Sequence, residues 1–384
     1  MLLIFEQLIP SIPLPSEVEF LRREEVRNWL DVRNVCRRWN VIVVNAPSLW
    51  TRVFLTDYRY VKDCLSFSRN AYLHICSMPW VTDDASRGLL KLVLPESHRI
   101  KTLDLNISDR ALAGLFPLSQ ENGSSAGFWR ADSLTTFRLS LSFRLSRDDF
   151  LHAQNSLFSF SDLLLFLSSA RNLQTLVLKT ESCEGRCYIP SFDRRQIVSS
   201  GKIIFPNMKR VEMEMDCFSI LRFVSYCQTP WNCIRLLDMS RNHISGDRCG
   251  LWCPSPHLSM GSTILKELFK TSIATEDNFN CCPEVSHLCF DMRQESPQTG
   301  IMTINLGGTA DGMYSRIRLA FHDEQTVDVI LRTLWDASPP FSSISTVEGS
   351  TVVDRLEILL KIPEVPLFLD RVRSEVTSRA KAYQ

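Results

Sequence analysis

The sequence has no surplus of charge of either sign, since 43 lysines and arginines are matched by 43 aspartates and glutamates in 384 residues. A nucleic-acid backbone is bound best by a clustered basic excess, so this balance argues against a nucleic-acid-binding protein. Long hydrophobic runs are also missing. The run from Leu163 to Leu167 is far shorter than the roughly 20 apolar residues that cross a membrane, so we expect no membrane span.

The N-terminus lacks the positively charged leading region of a secretory signal, contains Glu6 and is interrupted by Pro10 and Pro13. The 13 cysteines are odd in number and lie scattered in apolar runs, as Cys64 and Cys76 do. This usage favours buried free thiols in a reducing compartment over a disulfide framework. We therefore expect a cytoplasmic or nuclear protein.

No group of residues has the composition of an active site. The nearest metal-binding pattern is Cys249, Cys253 and His257, which supplies three candidate ligands where structural zinc uses four. His74 lies within a strand pattern, where a partly buried, hydrogen-bonded histidine is expected. Asn305 to Gly308 has no following Lys-Ser/Thr and is not a phosphate loop. We expect a non-catalytic protein without metal or cofactor.

The strongest local pattern runs from Leu30 to Trp50. Its apolar residues recur at the helical spacing i, i+3, i+4 and i+7, which predicts one helical face made of Val32, Val35, Cys36 and Trp39. The opposite face carries Arg33, Arg37, Arg38 and Asn40. The helix is predicted to reach Val44 and to end before Pro47, because proline has no amide hydrogen and disfavours helix at the preceding residue.

Val35 to Trp39, followed by Pro47 to Trp50, resembles the second half of the F-box, a helical module that binds the SKP-type adaptor of cullin ubiquitin ligases. Leu14 to Val18 is similar to the opening motif of that module. The resemblance implies that the adaptor-binding residues are Leu14, Pro15, Val18, Val35, Cys36, Trp39, Leu49 and Trp50. Phe20 to Trp29 is highly charged where family members carry a further apolar helix, so a unit that binds nothing remains an alternative.

A second pattern of three apolar residues recurs along the chain. The first and second are three positions apart, and the second and third are separated by one residue. This alternation is typical of a short strand with one buried face. Its copies are Ile100/Leu103/Leu105, Leu134/Phe137/Leu139, Leu173/Leu176/Leu178, Met208/Val211/Met213 and Ile234/Leu237/Met239, with weaker copies from Val285, Tyr314 and Val353. Helical patterns precede several copies, at Ser161 to Leu167, Phe218 to Cys227 and Val327 to Trp335. The arrangement predicts an irregular leucine-rich-repeat-like array, and an ordinary α/β domain is the competing interpretation.

The chain is thus expected to be α/β (α+β), with an F-box-like helical module over 1–52 and a connecting helix and strand over 53–99. A leucine-rich-repeat-like domain over 100–363 and a capping helix over 364–384 would follow. Such a chain resembles F-box proteins of the fungal type. That resemblance implies a substrate-recognition subunit of an SKP-cullin-F-box ligase, whose partners are the adaptor, the cullin ligase and a target protein. A repeat scaffold with a non-functional F-box-like unit is the alternative.

Overall fold

The computed structural model describes residues 29–78, 80–108, 112, 131–142, 160–180, 203–215, 217–228, 233–238, 287–294, 300–307, 314–321 and 346–348. They form two compact units. The first holds the described residues up to Met208, and the second holds those from Lys209 onward. Each unit combines helices with parallel strands, which agrees with the predicted α/β class at the coarse level.

The described part of the first unit begins with short helices: a 3-10 turn at Trp29–Asp31, α1 at Val32–Val35, α2 at Arg37–Val44 and a 3-10 turn at Pro47–Trp50. The predicted single helix is interrupted at Cys36, whose φ of −161° and ψ of 163° are extended. The four residues predicted to share one helical face are therefore divided, with Val32 and Val35 on α1, Cys36 between the helices and Trp39 on α2. The predicted end of the helix at Val44 is confirmed. The backbone nitrogen and the side-chain nitrogen of Asn45 both donate to the Val41 carbonyl there.

Among the described residues, five parallel strands follow, each hydrogen-bonded to the next in chain order. They are β1 at Arg52–Leu55, β2 at Leu73–Ser77, β3 at Ile100–Ser108, β4 at Thr136–Ser142 and β5 at Thr175–Thr180. Helices lie between them: α3 at Tyr58–Phe67, α4 at Asp83–Val93, a 3-10 helix at Leu94–Arg99, and α5 at Phe160–Ser169. A short strand, β6, is at Ile203–Ile204. Because such crossovers are right-handed, unbroken chain order places the helices on one face of the sheet.

The core of this unit lies between the sheet and those helices. Ile75, Leu103, Phe137 and Leu176 are register neighbours on β2 to β5, and all four are buried. The ring of Phe166 on α5 meets the ring of Phe137 edge-on, with centroids 5.5 Å apart. The strands predicted around Ile100, Leu134 and Leu173 are confirmed, with their alternating apolar residues buried as expected.

One hydrogen-bonded turn recurs before the strands. The amide of the first apolar residue donates to the carbonyl three residues earlier, in the pairs Ile100 to Ser97, Leu134 to Ala131, Leu173 to Ala170 and Met208 to Phe205. The side chain just before that residue donates to a carbonyl of the preceding turn. These bonds, called the turn ladder below, are Arg99 Nη1 to Ala71 (3.0 Å), Ser133 Oγ to His98 (2.6 Å), Asn172 Nδ2 to Asp132 (2.7 Å) and Asn207 Nδ2 to Arg171 (3.5 Å).

The second unit contains β7 at Arg210–Glu214, α6 at Cys217–Tyr226, β8 at Cys227–Gln228, β9 at Ile234–Asp238, β10 at His287–Gln294, β11 at Gly300–Gly307, β12 at Tyr314–Phe321 and β13 at Thr346–Glu348. Within it the strands are ordered β7, β9, β12, β11, β10, β13. β9 pairs in parallel with β7 and with β12, and β10 pairs in parallel with β13. β11 pairs antiparallel with both β10 and β12.

The antiparallel strand β11 is absent from the predicted pattern. The connections 295–299 and 308–313 are too short for parallel pairing, which needs a crossover of about a dozen residues. The patterns predicted at Met208, Ile234, Val285 and Tyr314 fall on β7, β9, β10 and β12. The predicted strand from Val353, the helix at 327–335 and the capping helix lie outside the described residues. No helix in the described part of the chain is long and apolar enough to cross a membrane.

Candidate functional site

Trp50, a predicted adaptor-binding residue, lies in the core of the first unit with 0% of its surface exposed. Its indole Nε1 donates a 2.8 Å hydrogen bond to the Val43 carbonyl at the end of α2. Its ring packs 4.7 Å from the ring of Phe67 on α3, measured between centroids. The guanidinium carbon of Arg33 lies 5.5 Å from the Trp50 centroid and 5.7 Å from that of Phe67, in cation–π contact with both. The Trp50 ring is thus enclosed by α2, α3 and Arg33.

Leu49, another predicted adaptor-binding residue, is equally buried, as is Val43. The Leu49 amide donates to the Ala46 carbonyl in the turn that follows α2, and this turn directs both Leu49 and Trp50 inward. A partner protein therefore has no access to either side chain in this conformation. Their large apolar area stabilises the junction between the helical segment and β1.

The outward surface of this segment is formed by Val35, Cys36, Arg37, Arg38 and Val41, called the helical surface below. Val35 is 61% exposed and Val41 is 58% exposed, while Trp39 is half-buried. Arg37 and Val41 are four residues apart on α2 and so lie on one side of the helix. The helical surface thus combines exposed apolar side chains with two exposed arginines.

Val41 is absent from the predicted adaptor-binding residues, although the sequence around it indicated an exposed apolar side chain. Residues 41–44 are consecutively apolar, and a helix of this length cannot bury every side of such a run. Of the predicted adaptor-binding residues, Val35 and Cys36 lie on the helical surface, Trp39 is half-buried, and Leu49 and Trp50 are internal. Leu14, Pro15 and Val18 lie outside the described residues.

Polar contacts tie the helical segment to the strands and helices that follow it. Arg33, expected on the solvent side, donates from Nε to Asn40 Oδ1 at 3.1 Å, and its Nη1 lies 3.9 Å from Asp63 Oδ2 on α3. Arg69, in the turn after α3, donates from Nη2 to Asn45 Oδ1 at 3.1 Å. The segment therefore packs as the first layer of the β/α unit.

Alternate residues of a strand point to opposite sides of the sheet. On the central strands, the residues that point away from the helices are polar. Asp104 on β3 and Arg138 on β4 are register partners there, and Arg138 Nη1 lies 3.2 Å from Asp104 Oδ2. Burial raises the pKa of Asp104, and the charge and hydrogen bond of Arg138 only partly oppose that effect. This pair bridges two parallel strands and holds a buried carboxylate in place.

His74 on β2 is half-buried, and its Nδ1 lies 3.0 Å from Thr102 Oγ1 on β3. Burial lowers the pKa of His74, and the positive charges of Lys101 and Arg52 lower it further. The partly buried, hydrogen-bonded histidine predicted from the strand pattern is confirmed. Its side chain links β2 to β3 through this contact with Thr102.

Five cysteines in the described part of the chain have free thiols: Cys36, Cys64, Cys76, Cys227 and Cys233. All except Cys36 are buried, as expected from their apolar surroundings. Burial raises the pKa of the Cys64 thiol to about 12 and also raises the pKa of Cys76. A thiol with a raised pKa is a poor nucleophile and a poor metal ligand, so these side chains serve as small apolar core groups.

No three His, Cys, Asp or Glu side chains in the described ranges are grouped closely enough to bind a metal ion. The pattern Cys249, Cys253 and His257 lies outside those ranges. The two features with exposed or charged groups are thus the helical surface and the polar face of β3 and β4. Comparison with protein-family models, with curated proteins and with solved structures found no significant match to this chain.

Proposed function

We propose that this chain is the substrate-recognition subunit of an SKP-cullin-F-box type ubiquitin ligase. In this proposal the helical segment binds the SKP-type adaptor, and the strand-bearing part of the chain binds a target protein. The observation that carries the proposal is the F-box-like pattern from Val35 to Trp50, on which Val35 and Val41 leave apolar side chains at the surface. Apolar side chains exposed beside charged residues are typical of protein-binding surfaces.

The adaptor would contact the helical surface. Val35, Cys36 and Val41 would form the apolar centre of the interface, and Arg37 and Arg38 would form its charged rim. Leu49 and Trp50 would support this surface from behind, because they hold α2 against α3. This division of roles follows from exposure, since interface energy comes from side chains that a partner can desolvate.

The target would contact an extended surface of repeated strands. β1 to β5 lie in chain order with helices between them, and the turn ladder links each turn to the one before. A leucine-rich-repeat-like interpretation is supported by this regularity. In such an array, consecutive strands present side chains next to one another and form a continuous surface for a partner.

Catalysis by such a subunit needs no reactive residue of its own. Binding the adaptor and the target at the same time raises the effective concentration of the target near the ubiquitin-charged enzyme.

Co-expression of the full chain with an SKP-type adaptor tests the proposal, with co-purification as the measurement. We expect a stable complex that is lost when Val35→Asp and Val41→Asp are introduced together. The matched control is Ile204→Asp, which places one such aspartate at another apolar position that is 60% exposed. Failure of the wild-type chain to retain the adaptor, with the chain shown to be folded by circular dichroism, would overturn the proposal.

A repeat scaffold with an F-box-like unit that binds no adaptor is the second candidate. It is favoured by one observation, the complete burial of Leu49 and Trp50 in the core of the first unit. Packing in the core accounts for the apolar side chains at these two positions even if no adaptor binds. In this case the adaptor fails to co-purify, and the double aspartate variant has the same partners as the wild-type chain.

A further inference from the structure

Arg69 has a backbone conformation that is unusual for its residue type. Its φ is 51°, and it is the one residue other than glycine with a positive φ in the described part of the chain. It directly follows Ser68, the C-cap of α3, at the position where helices most often carry glycine. Glycine is preferred there because it has no Cβ to clash in this conformation. The turn after α3 therefore gives no reason for an arginine at this position.

The side chain of Arg69 reaches the end of α2. Its Nη2 donates a 3.1 Å hydrogen bond to Asn45 Oδ1, 24 residues earlier in the chain. With its amide oxygen on Arg69, Asn45 directs its amide nitrogen at the last turn of α2, where Nδ2 donates to the Val41 carbonyl at 2.9 Å. The backbone nitrogen of Asn45 donates to the same carbonyl at 3.2 Å. Arg69 is thus connected through Asn45 to the backbone of a residue on the helical surface.

The last turn of α2 depends on such contacts. The helix has only 8 residues, and a helix of this length is marginal by itself. Its last four carbonyls, beginning with that of Val41, have no partners within the helix, so groups outside it must supply them. Opening of this turn would move the Val41 side chain, which is 58% exposed on the helical surface. The contacts of Asn45 therefore act on the geometry of that surface more than on the core.

We propose that Arg69 is a positioning residue for the helical surface, which holds the last turn of α2 closed through its hydrogen bond to Asn45. The proposal rests on the proposed function, in which the adaptor binds this surface. A turn that is already closed needs no ordering when the adaptor binds, so less binding energy is lost. A role limited to the turn after α3 predicts a different result, because glycine at this position would then leave α2 unchanged.

Hydrogen–deuterium exchange of the purified full chain tests the proposal. Mass spectrometry of peptides that cover residues 41–48 measures how often the last turn of α2 opens. Arg69→Gly removes the side chain and at the same time suits the backbone conformation of the turn after α3. We expect exchange in 41–48 to become about fivefold faster in this variant, as for the loss of one hydrogen bond. Asn70→Gly, at the next exposed position, is the matched control and should leave exchange in 41–48 unchanged.

A double-mutant cycle shows whether Arg69 acts through Asn45. Asn45→Ala removes the other half of the contact and should speed exchange in 41–48 by itself. Adding Arg69→Gly to Asn45→Ala should then produce no further increase, because the two side chains act as one unit. Additive increases would overturn the proposal. So would unchanged exchange in Arg69→Gly, or an equal increase in Asn70→Gly.

Titration with a purified SKP-type adaptor separates this proposal from the proposed function. We expect Arg69→Gly to weaken adaptor binding by about fivefold, in step with the faster exchange, and Asn70→Gly to leave it unchanged. Equal adaptor affinity of Arg69→Gly and the wild-type chain would overturn the positioning role alone. If the wild-type chain binds no adaptor, the proposed function fails, while exchange in the free chain still decides whether Arg69 holds the last turn of α2.

Discussion

The guanidinium of Arg99 donates a 3.0 Å hydrogen bond from Nη1 to the carbonyl oxygen of Ala71, one turn earlier in the turn ladder. The same side chain donates to Ser68 Oγ and to the Leu65 carbonyl, at 2.8 and 3.0 Å. Carbonyls at the end of a helix lack partners within the helix. Arg99 supplies partners for the end of α3 and fastens it to the turn before β3, while Glu96 balances its buried charge.

Replacing Arg99 by methionine should destabilise the chain by about 3 kcal/mol, because the part-buried carbonyls of Leu65 and Ala71 would each lose a guanidinium donor while the apolar stem is retained. Urea denaturation monitored by circular dichroism measures the change in the free energy of unfolding. The control is Arg59→Met, which removes an exposed arginine from the start of α3. A loss as small as in the control would show that Arg99 does not hold this helix end.

Replacing Asn172 by alanine should cost about 1 kcal/mol, since the Asp132 carbonyl would lose its donor at an exposed site. Asn172→Asp should cost at least as much, because a carboxylate of the same shape cannot donate. Asn34→Asp, at an exposed position of α1, is the control and should stay near wild type. Urea denaturation is again the measurement, and equal stability of Asn172→Asp and wild type would contradict a stabilising ladder.

Replacing Trp50 by alanine should lower the free energy of unfolding by about 4 kcal/mol, as expected for removal of a fully buried aromatic side chain. Trp50→Phe should cost less, because it keeps a ring beside Phe67 and loses mainly the hydrogen bond to the Val43 carbonyl. Val41→Ala, at an exposed position, should change stability by less than about 0.5 kcal/mol. Similar midpoints for Trp50→Ala and Val41→Ala in urea would show that Trp50 is not part of the core.

His74 should make stability depend on pH. Its pKa in the folded chain is lowered below the ordinary value of 6.5, so folding favours the neutral ring. The contribution is complete above 6.5 and is lost as pH falls from 6.5 through the lowered folded pKa, because the unfolded chain then binds the proton more tightly. His74→Gln removes this dependence. Unfolding free energies at about pH 7.5 and about pH 5.5 should fall more for wild type than for the variant. Parallel changes would contradict the prediction.

The thiols should differ sharply in reactivity towards a thiol reagent in the native chain. Cys36 is exposed at the start of α2 and should be modified at once, whereas Cys64 and Cys76 are buried with raised pKa values and should react only on unfolding. Peptide mapping by mass spectrometry, before and after addition of denaturant, identifies the modified residues. Early modification of Cys64 would indicate that α3 opens readily from the sheet.

The spacing of apolar residues was sufficient to predict the strands and helices that bury one face in the core. The strands after Ile100, Leu134 and Leu173 were predicted because two alternating leucines or aromatic residues match the period of a half-buried strand. The helices α5 and α6 were predicted within a few residues for the corresponding reason. Local apolar spacing carries this information because each element buries one face.

The candidate site was predicted less completely. The amphipathic spacing around Val35 did not reveal the extended backbone of Cys36, since no proline or glycine marks that break. Spacing also could not distinguish Trp50, enclosed by Phe67 and Arg33, from Val41 at the surface, because both are apolar residues in the same short segment. Burial depends on partners that come from later parts of the chain.

The sequence by itself determined the α/β class and the apolar strand positions, because these depend on residue types a few positions apart. Only the tertiary structure decided the chain-order parallel pairing of β1 to β5, the turn ladder from Arg99 to Asn207, and the assignment of Leu49 and Trp50 to the core. Each of these depends on contacts between residues far apart in the chain, for which local periodicity carries no signal.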